Sequence, residues 1–94
     1  MYERQIQLAE TKINHGSAAM LQVIVDEIEA NGRCLLPDSE LAIRIGVDSR
    51  TVQRRRTKLI EGHFIKVLKR FAEDGASLPS EIVIQSVEED EREH

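Results

Sequence analysis

Apolar residues recur along the 94-residue chain at helical spacing first and at strand-like spacing later, and the change of period divides the chain into helices followed by a hairpin. Tyr2, Ile6, Ala9 and Ile13 fall on one helical stripe, and Asn14, His15 and Gly16 then supply a stop. Ser17 can cap a second helix, in which Met20, Leu21, Ile24, Val25 and Ile28 form a broad apolar face ending at Asn31 and Gly32. Arg33 to Leu36 is too short for a helix and precedes Pro37, which pushes its predecessor toward extended backbone, so a short strand is expected there. Asp38 reads as the N-cap of a helix through Ile45, with Glu40 near the positive helix end and Gly46 as its stop. Asp48 repeats the capping signal, which predicts a further helix, roughly Ser49 to Glu61, leaving the previous one at a steep angle. Leu41, Ile45, Val47, Val52, Leu59 and Ile60 are spaced to lock this pair together. Phe64 to Phe71 and Ile82 to Val87 are β-like runs, and Asp74, Gly75 and Pro79 between them predict a hairpin with a long, mobile tip.

Two helices joined so abruptly are what groove insertion requires, and the packing just described leaves Ser49, Arg50, Thr51, Gln53, Arg54 and Arg55 facing outward, with Lys58 further along. These side chains suit phosphates and base edges. Arg50 has the donors for guanine and Gln53 the donor and acceptor for adenine, although a phosphate-only role is open to each. On the hairpin, Lys66, Lys69 and Arg70 either touch DNA backbone or act as edge charges that discourage strand pairing. Glu73 and Asp74 at its tip weigh against deep minor-groove insertion.

Charge first argues against such a partner, because the formal net charge is −4 and the isoelectric point about 5.4. Its distribution reverses the argument. Arg33 through Arg70 holds ten Lys or Arg against four Asp or Glu, whereas Glu88 through Glu93 holds five acids against Arg92 alone. Residues 88–94 are expected to be a disordered acidic tail, either a solubilising extension or a competitor for the basic face. Cys34 is alone, so no intrachain disulfide can form, and it reads as a small buried apolar residue or, less simply, a redox sensor. No leader and no run of about 18 apolar residues is present, which points to a reducing cytoplasm and no membrane partner. His15, His63 and His94 lack ligand spacing, so no metal is expected. Without a nucleophile elbow, a glycine-rich phosphate loop or a pair of buried carboxylates, the chain is not expected to be an enzyme or to carry a cofactor or small-molecule ligand.

Helix, short strand, helix, helix and a two-stranded wing is the order of the winged helix-turn-helix. Leu36-Pro37, Glu40-Leu41-Ala42, Ile45-Gly46-Val47, Thr51-Val52-Gln53-Arg54, Leu59 and Phe64-Ile65 resemble the pattern of GntR-type regulators. Lys69-Arg70-Phe71, Asp74-Gly75-Ala76-Ser77 and Ile82-Val83-Ile84 are similar to the DNA-binding domains of plasmid and phage replication initiators. The resemblance implies a mainly α fold with a small β-hairpin over residues 17–87, preceded by an extra helix in residues 1–16. It further implies sequence-specific binding of double-stranded DNA by a small transcriptional regulator or replication-associated factor of bacterial, plasmid or phage origin. A winged helix that docks an acidic protein partner instead is the alternative.

Two positions depart from the pattern: His63 stands where the family usually has glycine before the wing, and Arg56 where it usually has leucine. Either the Arg56 stem snorkels so that its guanidinium meets a phosphate, or helix packing shifts around it. The extra helix offers the stripe Tyr2, Ile6, Ala9 and Ile13, which either builds a homodimer with two recognition helices one DNA turn apart or folds back onto the Leu21-Val25-Ile28 helix.

Overall fold

The computed structural model describes residues 2–85, so the acidic segment 88–94 lies outside the described residues. Four helices, α1 (Glu3–Lys12), α2 (His15–Asn31), α3 (Asp38–Ile45) and α4 (Ser49–Glu61), precede two antiparallel strands, β1 (Ile65–Phe71) and β2 (Ser77–Ile84). This mainly helical order with one hairpin is compatible with a winged-helix-like layout. α2 is the central element and packs against α1, α3 and α4. Met20, Leu21 and Ile24 of α2 share one core with Leu41, Val52, Leu59, Phe64, Ile65 and Ile82, all almost fully buried.

Local chemistry sets the helix ends, and at two of them it differs from expectation. α2 begins at His15 because Asn14 serves as its cap, its Oδ1 accepting the Ser17 N–H at 2.7 Å. Ser17, expected as that cap, is instead buried in the first turn, and Gly16 lies inside α2 rather than in a stop. At α3 the cap position is taken by Pro37, in extended backbone and without a side-chain bond, while Asp38 is the first helical residue. Its carboxylate is free to pair elsewhere, and Arg56 of α4 takes it, Nη1 to Oδ1 at 2.5 Å. Arg56 is therefore half-buried, with its guanidinium held by a carboxylate of the chain itself. It ties α4 to the start of α3.

α3 ends as expected at Gly46, whose φ of 84° is open to glycine. Both Gly46 and Val47 return their N–H groups to Ala42 O. α4 closes by a related device, with His63 N–H on Ile60 O at 3.0 Å and Phe64 N–H on Leu59 O at 2.9 Å. Here the left-handed residue is His63, with φ 63°. Ile60, expected to lock the helix pair, is 40% exposed, because it stands about 100° around the helix from the buried Leu59.

The hairpin tip is shorter than expected. Ala72 to Ala76 forms a tight turn in which Ala72 N–H meets Ala76 O and Asp74 Oδ1 accepts the Ala76 N–H. Pro79 belongs to β2, which begins at Ser77 rather than Ile82 and ends at Ile84, while positions 86 and 87 of the expected run lie outside the described residues. Register shifts between Leu68 and Arg70, so Pro79 falls where the ladder is irregular and its missing N–H costs no regular bond. The strand expected at Arg33 to Leu36 is reduced to one bridge, Cys34 with Ile82, where Ile82 N–H meets Cys34 O at 2.9 Å. Cys34 is fully buried, and burial pushes its thiol pKa up, away from thiolate chemistry.

The stripe on α1 has its cover within the chain. Ala9 is fully buried in the shared core, Ile6 and Ile13 pack partly against it, and α1 lies on α2. Folding back is the arrangement observed, so the inference of a dimer from an uncovered stripe loses its premise.

Candidate nucleic-acid interface

α4 starts where Asp48 accepts the Thr51 N–H at 2.7 Å. Hydrogen bonds from Thr51 hold the Asp48 carboxyl below the usual carboxylate range, so the cap is fully present above that range and is lost as pH falls through the lowered value. Val52 and Leu59 then turn inward, fully buried, and their periodicity decides what remains outside. Ser49, Arg50, Gln53, Arg54 and Lys58 are exposed, while Thr51 and Arg55 are half-buried. Arg50, Arg54 and Lys58 follow one another at four-residue intervals and, with Gln53, Thr57 and Glu61, line a shallow groove of about 360 Å³. Arg54 is steadied by its Nη2 donating to Thr51 Oγ1 at 3.2 Å.

Arg55 does not share that groove. Its guanidinium lies over α2 at Gly16, in a second recess that Arg54, Lys58 and Thr51 also border. Of the three hairpin cations, Lys66 and Lys69 are exposed and Arg70 is half-buried, its Nη1 donating to Pro79 O at 3.3 Å. Lys69 and Arg70 border a separate hollow with Phe71, Ser77, Leu78 and Ser80. The ten predicted site residues thus form a helix group and a hairpin group rather than one continuous strip.

Carboxylates sort the basic residues. Arg33 meets Glu81 at 3.3 Å, Arg44 meets Glu27 at 2.7 Å and Glu40 at 3.7 Å, and Arg56 meets Asp38. Among the described residues, no carboxylate lies within ion-pair distance of Arg50, Arg54, Arg55, Lys58, Lys66, Lys69 or Arg70. The cations expected from sequence to meet a partner are those that the fold leaves without a carboxylate, whereas Arg33, Arg44 and Arg56, which were not among them, are neutralised internally.

Sequence reasoning missed one neighbour of this surface. The first turn of α2, with Asn14, Gly16 and Ser17, borders the recess against α4. The spacing of Asn14 and Ser17 signals a cap, but nothing in it signals that α4 lies alongside. Among the described residues no cluster of three His, Cys, Asp or Glu is placed to hold a metal, and no helix is long and apolar enough to cross a membrane. Compared with family models, curated proteins and solved structures, the chain matches none.

Proposed function

We propose that the chain is a winged helix-turn-helix that binds double-stranded DNA, with α4 in the major groove and the β1–β2 hairpin on the flanking backbone. The observation that carries this reading is the sorting of charge. A protein with net charge −4 uses its acids to neutralise Arg33, Arg44 and Arg56, yet leaves four cations on one helix and three on the hairpin without carboxylates. Charges without internal partners remain available to phosphates, where displaced counterions supply the driving force. Arg50 and Gln53, exposed in the first half of α4, are positioned along the helix for base edges, and Arg54, Arg55 and Lys58 for phosphates. In this reading the protein serves as a small regulator or replication-associated factor in the cytoplasm.

Selection of bound sequences from a random duplex pool, followed by titration of the selected duplex at two salt concentrations, tests the proposal. Enrichment of one sequence with binding that weakens steeply in salt is the expected result. A flat salt response removes DNA as the partner.

A further inference from the structure

The first turn of α2 and the flank of α4 enclose a recess of about 370 Å³. On the α2 side, Asn14 satisfies the Ser17 N–H, while the His15 and Gly16 amides at the positive helix end have no acceptor among the described residues. On the α4 side stand Arg54, Arg55 and Lys58, and no carboxylate lines the recess. The Arg55 guanidinium rests so close to Gly16 that a Cβ built there would lie 2.8 Å from its Cζ, Nε and Nη2. A helix N-terminus favours anions, so a guanidinium held beside it has the wrong sign for the α2 dipole. Ser17 forms part of the recess wall, is fully buried, and its Oγ has no hydrogen-bond partner. Buried hydroxyls nearly always have one. The Gly16 amide and the Ser17 hydroxyl lack an acceptor, the Arg55 guanidinium lacks a counter-charge, and all three residues border the same recess.

We infer that this recess binds a phosphate group, with the Gly16 amide and Ser17 hydroxyl donating to its oxygens and Arg55 closing over them from α4. Phosphate fits because its oxygens accept from several directions, matching donors that arrive from two helices. The absence of a side chain at Gly16 is what allows the guanidinium so near the α2 backbone. In the DNA-binding reading, on which this step rests, the occupant is a backbone phosphodiester beside the groove filled by α4, and the contact sets the register of that helix. Inorganic phosphate offers the same chemistry without a duplex.

Nuclear magnetic resonance of the full chain tests the site by following backbone amides and the Arg55 Nε–H, first with inorganic phosphate against chloride of equal ionic strength, then with duplex DNA. Phosphate should move the Gly16, Ser17 and Arg55 signals and leave the hairpin unmoved. Arg55→Gln should abolish the response. Gly16→Ala should displace the guanidinium while placing a better helix former in α2, so that thermal stability rises as the phosphate response falls. With duplex, the same signals should move, and Arg55→Gln should flatten the log–log salt dependence by about 0.9. Duplex binding that shifts α4 but leaves Gly16 and Ser17 in place would overturn the site and keep the DNA reading. A phosphate response without duplex binding would keep the site and overturn the DNA reading. No response to either ligand overturns both.

Discussion

Replacing Arg54 with glutamine removes a guanidinium that no carboxylate holds, whereas the same change at Arg44 removes one already engaged by Glu27 and Glu40. The two variants lose equal charge, so a long-range field would treat them alike. Direct phosphate contact would not. Each neutralised phosphate contributes about 0.9 to the log–log salt slope, and about four to six contacts are available from α4 and the hairpin, so the expected slope is about −3.6 to −5.4. Raising salt from about 50 to 200 mM should then weaken duplex binding by about 150- to 1,800-fold. Arg54→Gln should reduce the slope by about 0.9, making its defect about 3.5 times larger at the lower salt than at the higher. Arg44→Gln should leave the slope unchanged, and Arg33→Gln likewise, because Glu81 already holds that guanidinium. Fluorescence anisotropy with one labelled duplex, at temperatures where each variant remains folded, measures all of these slopes. Equal slope loss in Arg44→Gln and Arg54→Gln would refute the sorting of cations by carboxylate pairing.

Four further outcomes follow from the same geometry. His63→Gly should stabilise the chain by about 0.5–1 kcal/mol, since the left-handed backbone strains a side chain by about 1–2 kcal/mol and glycine's extra unfolded freedom offsets part of the gain; thermal unfolding that shows a loss would mean His63 makes a contact worth more than the strain. Asp38→Asn should cost about 1–2 kcal/mol and Arg56→Leu less, because the second removes the charge rather than leaving it half-buried and unpaired; a double-mutant cycle with no coupling would dissolve the α3–α4 tie. Deleting residues 1–12 should cost about 3–5 kcal/mol from the lost burial of Ile6, Leu8 and Ala9, and denaturant unfolding that matches the full chain would make α1 an appendage. Removing residues 88–94 takes away a net charge of −4 and should tighten duplex binding most at low ionic strength, with equal affinity at every salt concentration marking a passive tail.

How much of this was readable in sequence depended on the range of the interaction that decides each feature. α4 was legible from end to end, because Asp48 caps it locally and the apolar positions Val52 and Leu59 orient it. The start of α3 was not, because the carboxylate that could have capped it serves Arg56, 18 positions away. General propensity makes Pro79 a turn residue, yet it sits in β2, where a register shift that only strand pairing creates makes its missing N–H harmless. The spacing of the α1 stripe marks a surface needing cover, but which surface supplies the cover is a tertiary fact.

Arg54, Arg55 and Arg56 carry the same point into the candidate site. Three consecutive arginines read as one basic face, but successive side chains on a helix diverge by about 100°, so one face cannot hold them. Arg54 stays exposed and is steadied only by Thr51, Arg55 lies over Gly16 of α2, and Arg56 meets Asp38 of α3. Each has the same intrinsic chemistry, and the neighbour it meets divides their roles: solvent leaves a charge available, a bare helix terminus places it beside unmet donors, and a carboxylate consumes it. Helical period alone could have warned that the run would split. Only the packing of α2 and α3 against α4 determines which arginine goes where, and hence which of the three would alter DNA affinity and which would alter stability.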